Sequence, residues 1–371
     1  MSAVDRQMMS RALQLAAKGR YTSAPNPSVG CVIARDDSII GEGFTRPAGG
    51  NHGEIEALQQ ASDTAGATAY VTLEPCSHQG RTGPCADALV AAGISRVVIA
   101  CEDPNPEVAG SGIQKLKDAG IEVELGLMED QARESNRGFI KRHEQGMPWV
   151  TVKMAASLDG RTAMASGQSQ WITTPAARAD VQRLRAAQCA IITGIGTQKM
   201  DDPSLTVRIT RDDVGVEDEL RQPLRVVVDA RLQMSPEARM FQQPGDTLVA
   251  TLDGPEQRDR SAALEAAGAE VAFLPAMGEH IDLHALLVEL AGRGCNQVLV
   301  EAGAGLAGAF IAEGLLDELV CYWAPKLFGN EARPMFDLSI ETIDAHLALS
   351  IQDILRIGED IRVVLRPDKD Y

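Results

Sequence analysis

The first part of the chain alternates short β-rich apolar runs with amphipathic stretches of helical period. Helices are predicted where apolar residues recur every three or four positions, and strands where Val and Ile cluster between turn residues. The predicted helices cover residues 4–19, 52–60, 86–92, 113–119 and 129–144. The predicted strands cover residues 29–34, 39–44, 69–73, 97–100 and 121–125. Alternation of this kind predicts an α/β sheet with helices on its faces.

A Gly-Met-Pro segment at 146–148 interrupts this pattern, and a new strand is predicted directly after it at 149–154. Further strands are predicted at residues 224–228, 247–250, 271–274, 298–301, 319–323 and 361–365. Because 371 residues is long for one compact core, we predict two domains, 1–147 and 148–371. The acidic stretch 212–222 is predicted to be a surface insertion, and His280 and His284 are predicted to be ordinary helix residues.

The charge of the chain narrows the classes of partner. The formal net charge is −17, and residues 1–147 alone carry 14 basic against 19 acidic side chains. A protein that binds nucleic acid usually presents a basic face, because phosphate contacts supply most of the affinity. We therefore expect no nucleic-acid partner, while a local basic pocket for a small phosphorylated ligand stays open.

The composition also bears on location. No apolar run approaches the roughly 20 residues that cross a bilayer, and residues 1–11 lack the apolar core of a signal peptide. The seven cysteines are scattered, which suits a reducing compartment. We expect a cytoplasmic protein without a membrane partner, in which Cys31 and Cys101 are small buried residues.

The strongest chemical pattern is a set of three metal ligands at the ends of predicted strands. Asn-His-Gly-Glu at 51–54 opens a helix, Leu-Glu-Pro-Cys at 73–76 ends a strand, and Cys85 stands at the next helix start. One imidazole and two thiolates leave a tetrahedral zinc ion one open position for water. Glu54 can take a proton from that water and deliver it to a substrate nitrogen. The pattern predicts a zinc-dependent hydrolytic deaminase with ligands His52, Cys76 and Cys85.

A structural zinc site is the alternative. Such a site normally has a fourth protein ligand, and His78 is the candidate for it. That alternative leaves the His-x-Glu and Glu-Pro-Cys patterns unexplained.

A glycine-rich stretch in the second half follows the predicted strand 298–301 and opens a helix. Small residues at such a junction allow a backbone to approach phosphate groups, although many strand–helix junctions are glycine-rich for packing alone. The pattern by itself leaves dinucleotide binding and plain packing open.

Several separated motifs resemble one known family. Asn-Pro-Ser-Val-Gly at 26–30, the 51–54 motif, and Thr-Leu-Glu-Pro-Cys-Ser-His-Gln-Gly-Arg-Thr-Gly-Pro-Cys at 72–85 resemble the deaminase half of the bifunctional riboflavin-biosynthesis deaminase/reductases. The long gap between the two cysteines is the discriminating detail, and Gly83 stands where the family commonly has proline. Residues 153–161, 169–173, 193–197, 201–208 and 300–303 resemble the reductase half.

The resemblance implies a fold for each domain. It implies a cytidine-deaminase-like three-layer α/β/α domain followed by a dihydrofolate-reductase-like α/β domain. It also implies a homo-oligomer, either a dimer or a tetramer.

The resemblance further implies roles for individual residues. Asn26 would contact the pyrimidine, with a turn-forming Asn-Pro as the alternative, and Lys153 would assist hydride transfer. Residues implied to bind NADPH are Ala155, Trp171, Thr197, Asp201, Gly303, Ala304, Gly305, Leu306, Ala307, Gly308 and Ala309. Residues implied to bind the ribosylamino-pyrimidine and its phosphate are Ser169, Arg185, Leu205, Arg208 and Glu301. Plainer alternatives are that Trp171 is core, that the two arginines are solvated charges and that Asp201 caps a turn.

Together these features predict two consecutive reactions. The first is the zinc-dependent deamination of 2,5-diamino-6-(5-phosphoribosylamino)pyrimidin-4-one, and the second is the NADPH-dependent reduction of its ribosyl group to a ribityl chain. Two rival functions are an RNA-editing deaminase with a nucleic-acid-binding second domain, which the acidic charge disfavours, and a deaminase with a non-catalytic second domain.

Overall fold

The computed structural model describes residues 1–77 and 83–368 and separates into two compact units. The first unit contains Met1–Met147 together with Thr210–Arg221, and the second contains Pro148–Ile209 and the chain from Gln222 onward. The first unit therefore includes a segment from the second half of the sequence, and this segment covers most of the acidic stretch at 212–222. None of the helices in the described part of the chain is long and apolar enough to cross a bilayer.

The first unit is built on a five-stranded sheet in the order β2-β1-β3-β4-β5. Its strands are β1 Gly30–Arg35, β2 Ser38–Phe44, β3 Thr68–Val71, β4 Arg96–Ile99 and β5 Glu122–Leu125. Its helices are α1 Ala3–Ala16, α2 Gly53–Gln60, α3 Cys85–Ala91, α4 Ser111–Asp118, α5 Glu129–Ser135 and α6 Arg137–Gln145, with a 3₁₀ turn at Ala17–Tyr21. Strand β1 is antiparallel to β2 and β3, whereas β3, β4 and β5 are parallel.

Helices α1 and α2 pack on opposite faces of this sheet. A Cβ atom at Gly30 would lie 1.9 Å from the carbonyl oxygen of Ala12 on α1. Gly43 is paired with Cys31, the next residue along β1, and so points to the other face. A Cβ atom at Gly43 would lie 2.2 Å from the carbonyl oxygen of Gly53 on α2. Both glycines permit direct contact between strand and helix backbones, and the result is the three-layer arrangement.

One predicted helix is divided in the structure. The sequence predicted a single helix over residues 129–144, but α5 ends before Asn136 and α6 begins after it. The Asn136 side chain accepts a hydrogen bond from the Ser28 N–H at 2.7 Å and donates to the Ser28 carbonyl at 3.0 Å. Ser28 is 108 residues away from Asn136 in the sequence, so the local pattern of apolar residues did not indicate these bonds.

The second unit contains a nine-stranded sheet in the order β11-β10-β9-β8-β14-β6-β15-β18-β17. Its strands are β6 Trp149–Ser157, β8 Ala190–Gly194, β9 Leu224–Val228, β10 Thr247–Leu252, β11 Ala269–Leu274, β14 Gln297–Val300, β15 Glu318–Ala324, β17 Leu349–Ile357 and β18 Asp360–Pro367. Two small sheets pair β7 Arg161–Ala163 with β16 Arg333–Pro334 and β12 Ala276–Met277 with β13 His280–Ile281.

The helices of this half of the sequence connect the strands. They are α7 Pro175–Ala186, α8 Ile195–Asp201, α9 Arg211–Val214, α10 Pro255–Ala266, α11 Leu283–Gly292 and α12 Ala304–Ala312, and α9 belongs to the segment that joins the first unit. His284 lies in α11 as expected, but the helical assignment of His280 is wrong because that residue lies in the short strand β13.

The order of the strands brings several motifs to one edge of the large sheet. Strands β8, β14, β6 and β15 are neighbours and run parallel, so their carboxyl ends meet at the same edge. Ligands of open α/β sheets bind outside the carboxyl ends of the strands. The second functional site is therefore expected at this edge.

Candidate deaminase and reductase sites

The three predicted zinc ligands come together in the first unit. His52 is the N-cap of α2, Cys76 lies in the loop after β3, and Cys85 is the first residue of α3. The His52 Nδ1 atom lies 3.6 Å from Cys76 Sγ and 3.4 Å from Cys85 Sγ, and all three donor atoms lie within 4.8 Å of one another. Predicted ligands from three separate segments thus form one cluster.

The spacing of these atoms fits a zinc ion. Zinc bonds of about 2.3 Å to sulfur and about 2.05 Å to nitrogen, at a tetrahedral angle, place the two ligand atoms about 3.5 Å apart. The two observed nitrogen–sulfur distances, 3.4 and 3.6 Å, fall on either side of that value. Among the described residues this is the one group of three such ligands, and His78, the alternative fourth ligand, lies outside the described residues.

Glu54 lies beside this cluster, in the first turn of α2. Its side chain is 3 % exposed, and burial together with the Cys76 sulfur raises the pKa of the carboxyl to about 7. A hydrogen bond with the Cys85 side chain and the neighbouring His52 ring oppose that rise. A carboxyl group that titrates near neutral pH can both accept and release a proton during a reaction.

The two cysteines of the cluster differ in their acidity. A hydrogen bond from Cys85 and another from His52 lower the pKa of the Cys76 thiol, so its thiolate is favoured. The same bond and burial raise the pKa of Cys85. Cys31 and Cys101 are buried, as predicted, and none of the seven cysteines, which all lie in the described ranges, forms a disulfide.

A group of partly buried charged side chains lies at the carboxyl edge of the large sheet in the second unit. Glu301 follows β14, and its two oxygens accept hydrogen bonds from Nε and Nη2 of Arg185 at 2.6 and 2.9 Å. The Lys153 ammonium on β6 lies 3.9 Å from Glu301 Oε2. Glu301 therefore interacts with two other residues that the sequence assigned to the reductase site.

The charges in this group shift one another's pKa values. Burial alone would raise the pKa of Glu301, but Arg185 and Lys153 outweigh it and lower the pKa to about 2. Burial also lowers the pKa of Lys153, and the Glu301 charge partly offsets that effect. An ammonium group whose acidity is increased in this way is better able to release a proton.

The two glycine-containing junctions of this unit are adjacent. Gly194 ends β8 and Gly303 follows β14, and a Cβ atom at Gly303 would lie 3.9 Å from the Thr197 hydroxyl. Gly303 is the N-cap of α12, and Gly305 is exposed with open space around its Cα atom. A phosphate group of a ligand can therefore approach the protein backbone at the N-terminus of this helix.

Comparison with known proteins identifies both units. Residues 2–101 match the cytidine and deoxycytidylate deaminase zinc-binding region, and residues 148–363 match the RibD C-terminal domain. The riboflavin biosynthesis protein RibD of Escherichia coli is 47 % identical over 364 residues, covering 96 % of this chain and 98 % of that protein. The chain belongs to the RibD family.

Other members of the RibD family agree with this result. RibD of Haemophilus influenzae is 46 % identical, over 99 % of this chain and 98 % of that protein. The solved structure of Acinetobacter baumannii RibD, form 1, has a TM-score of 0.89 at 45 % identity and covers 99 % of both chains. A Thermotoga maritima diaminohydroxyphosphoribosylaminopyrimidine deaminase/5-amino-6-(5-phosphoribosylamino)uracil reductase has a TM-score of 0.85 at 31 % identity, covering 98 % of this chain and 99 % of that one.

The RibD match confirms several predictions from the sequence. The cytidine-deaminase-like and dihydrofolate-reductase-like fold classes are confirmed, as is a bifunctional deaminase/reductase of riboflavin biosynthesis. Zinc and NADPH are the cofactors of these two activities.

The structure adds detail to individual residues predicted for the RibD reductase half. Trp171 is 65 % exposed and stacks against Arg178, with the guanidinium 4.3 Å from the ring centroid, so it is not a core residue. Leu205 is buried in a cluster with Ile191 and Leu299, so its side chain packs in the core.

The remaining predicted residues differ in exposure. Ser169 and Ala155 are partly exposed, and Asp201 and Arg208 are exposed. Asn26 donates its main-chain N–H to the Ser23 carbonyl at 3.0 Å, so it lies in a turn.

The predicted cofactor loop 303–309 is a helix from Ala304 onward. Ala307 and Gly308 are buried, and a Cβ atom at Gly308 would lie 2.3 Å from the Asp337 carbonyl oxygen. Close packing against this backbone explains why residue 308 is a glycine. Only the first residues of the glycine-rich stretch are therefore placed at the helix N-terminus.

Two further residues, Glu74 and Lys326, fix the backbone near the sites, and no sequence motif indicated either role. Glu74, next to the zinc-ligand loop, accepts hydrogen bonds from four backbone N–H groups. The Lys326 ammonium donates to the carbonyl oxygens of Trp171 and Ile172 at 3.1 and 2.6 Å. Their donors and acceptors are backbone groups of distant residues, which no local motif indicates.

Proposed function

We propose that the first unit deaminates 2,5-diamino-6-(5-phosphoribosylamino)pyrimidin-4-one and that the second reduces the ribosyl group of the product. The observation that carries this proposal is the His52–Cys76–Cys85 cluster with the buried Glu54 carboxyl beside it. The compounds named for the Thermotoga maritima relative support the choice of substrate.

In the deaminase site we assign the metal to His52, Cys76 and Cys85. When bound, zinc supplies a Lewis acid that makes water nucleophilic at neutral pH. A carboxylate oxygen of Glu54 accepts a proton from the attacking water and returns it to the amino nitrogen of the substrate. The carbon–nitrogen bond then breaks, ammonia leaves, and a carbonyl group replaces the amino group. Asn26 is assigned to the pyrimidine.

In the reductase site we assign the substrate to the edge of the sheet around Glu301. When bound, NADPH supplies the hydride that C1 of the ribose accepts. Lys153 delivers a proton to the ring oxygen as the bond from C1 to that oxygen breaks, which opens the ribose to a ribityl chain. Arg208, Ser169 and the Leu205 backbone are assigned to the phosphorylated substrate. Arg185, whose guanidinium already pairs with Glu301, orients that carboxylate.

For the cofactor, the assigned region is the adjacent pair of strand ends at Gly194 and Gly303. Thr197 and the residues from Gly303 to Leu306 are assigned to NADPH phosphates, because the helix N-terminus and small residues there suit an anion. Trp171 and Ala155 are assigned to the rest of NADPH, together with Asp201. The start of α12 is positioned by the next three residues of the helix, Ala307, Gly308 and Ala309.

A coupled assay on the purified full-length chain tests both activities. Ammonia release and NADPH absorbance are followed with the proposed diamino-pyrimidinone as substrate. We expect both, with a chelator stopping ammonia release first and leaving the reduction of pre-deaminated substrate intact. Ammonia without NADPH oxidation would assign another role to the second unit. Neither activity in zinc-loaded protein would overturn the substrate assignment.

We also propose a cytoplasmic homodimer formed through β17. This nine-residue edge strand pairs only with β18 within the described part of the chain. Ile351 and Ile354 on it are 59 % and 60 % exposed. An exposed apolar edge is a template for pairing, and an antiparallel pair of identical strands is compatible with two-fold symmetry. The seven cysteines, none of which forms a disulfide, and the small phosphorylated substrate support the cytoplasm.

A further inference from the structure

Glu74 precedes the zinc ligand Cys76 by two residues, and its carboxylate is 3 % exposed. Its oxygen Oε2 accepts hydrogen bonds from the N–H groups of Asp103 and Gly110 at 3.2 and 3.0 Å. Its oxygen Oε1 accepts from Gly112 and Ile113 at 2.9 and 3.0 Å. These four hydrogen bonds join the residue before the Cys76 loop to residues 103–113, which are distant in the sequence.

The segment that donates to Glu74 contacts the Cys76 loop at two further points. A Cβ atom at Gly112 would lie 2.0 Å from the carbonyl oxygen of Pro75, so the two backbones touch. The hydroxyl oxygens of Ser77 and Ser111 lie 2.5 Å apart. Cys76 therefore lies between anchored residues on both sides, and the anchors all come from residues 103–113.

We propose that Glu74 is a positioning residue for the metal site, because it fixes the backbone that carries Cys76 through the start of α4. The backbone of this loop determines whether Cys76 Sγ stays 3.6 Å from His52 Nδ1, the spacing that fits zinc. The identity of the metal rests on the proposed deaminase function.

The substitution Glu74→Gln tests this role with almost no change in volume. Each of the two carboxylate oxygens of Glu74 accepts hydrogen bonds from two N–H groups. The amide of a glutamine has only one oxygen, so its NH₂ group, which is a donor, faces one of these two pairs. Two buried N–H groups then lose their acceptor, and the loop at 75–77 shifts. Loss of outer partners of a metal site typically costs about 10- to 100-fold in metal affinity.

The measurement is a competition titration of full-length apoprotein with zinc and a chromophoric chelator, together with the absorption spectrum of the cobalt-substituted protein. We expect the zinc Kd of Glu74→Gln to rise about 10- to 100-fold and the cobalt spectrum to change. Ammonia release should fall and recover in part with excess zinc. Reduction of pre-deaminated substrate should stay at the wild-type rate.

A matched control is Asp229→Asn in the second unit. Asp229 is also buried and accepts the N–H groups of Gln233 and Met234 at 2.5 and 2.8 Å. Its substitution should leave the zinc Kd and the cobalt spectrum unchanged. If Glu74→Gln does the same, Glu74 only stabilises the fold and the proposal is wrong.

Gly112→Ala provides a second test if Glu74→Gln fails to fold. It leaves the carboxylate intact and pushes against Pro75, so the cobalt spectrum should change in the same way; an unchanged spectrum would overturn the proposal. Wild-type protein that binds zinc but releases no ammonia would overturn the proposed substrate, and the comparison of zinc affinities would still decide the role of Glu74.

Discussion

Two largely enclosed carboxylates, Glu54 and Glu301, show how neighbouring groups determine the role of the same chemical group. Burial next to the Cys76 sulfur raises the pKa of Glu54 to about 7. Arg185 and Lys153 overcome burial around Glu301 and lower its pKa to about 2. One carboxyl is thus suited to carrying a proton, whereas the other remains a fixed negative charge under physiological conditions.

The substitution Glu54→Gln should leave metal binding intact and abolish ammonia release, because it removes the proton carrier and no ligand. Zinc content and ammonia release are measured on the same preparation. Cys76→Ser is the comparison and should lose both metal and deamination. An active Glu54→Gln protein would contradict the proposed proton transfer.

For Glu301 the pKa shift predicts how stability changes in acid. The pKa is lowered in the folded protein from 4.5 to about 2. Its contribution to stability is therefore fully present above pH 4.5 and is lost as the pH falls toward 2. A shift of this size corresponds to about 3 kcal/mol of the unfolding free energy of the second unit.

Denaturant unfolding between pH 6 and pH 2.5 measures this dependence. The substitution Glu301→Gln should be less stable than wild type at pH 6, and the difference should shrink toward pH 2.5. Glu279→Gln, at an exposed carboxylate, should follow the wild-type profile. A constant difference between Glu301→Gln and wild type across the range would contradict the assignment.

At the scale of elements, the zinc site depends on how closely α2 approaches β2. Gly43 and Gly41 lie on the face of β2 that contacts α2, and Cβ atoms there would lie 2.2 and 2.3 Å from carbonyl oxygens of that helix. Helix α2 begins beside the ligand His52 and carries Glu54 in its first turn. Its distance from the sheet therefore sets the position of both residues.

The substitution Gly43→Ala should move α2 outward and weaken both zinc binding and ammonia release. Overpacking of this kind typically costs about 1–3 kcal/mol of unfolding free energy. Zinc content, the thermal unfolding midpoint and both activities are measured. Gly292→Ala, at a helical glycine with open space around it, is the control and should be neutral or slightly stabilising. Wild-type zinc binding by Gly43→Ala would contradict this account.

His52, Cys76, Cys85 and Glu54 were predictable because their residue types and spacing express the chemistry directly. The role of Glu74 was not predictable, because its partners are backbone N–H groups, which are the same for almost every residue type. Leu205 was assigned to substrate from a motif, although its side chain packs in the core.

Strands were predictable where apolar β-branched residues follow one another between turn residues, and most of these strands are buried at successive positions. Most predicted strands differ from the observed ones by a few residues at their ends. Strand β17 was missed because most of its residues are exposed, so no alternation of buried and exposed positions marks it. The break at Asn136 was missed because Ser28, which bonds to it, is far away in the sequence.

At the scale of the whole molecule, the exposed β17 edge predicts self-association. Ile351→Lys places a charge on the proposed pairing strand and should convert a dimer into a monomer, because like charges meet across the two-fold axis. Light scattering coupled to gel filtration measures the mass. Lys substitution of Ile39, an exposed apolar residue of β2, should leave the mass unchanged. A wild-type monomer, or a dimer that survives Ile351→Lys, would contradict the proposal.

The segment Thr210–Arg221 belongs to the first unit although the chain on either side of it belongs to the second. Within that unit, Glu217 and Asp218 lie 2.8 and 3.4 Å from the Arg46 guanidinium, whose Nε donates to Glu56 on α2. A gene encoding only residues 1–147 would lack these acidic partners. A gene split at residue 147 would therefore leave Arg46 with one of its three acidic partners, so the division between the two structural units does not coincide with any single cut in the sequence.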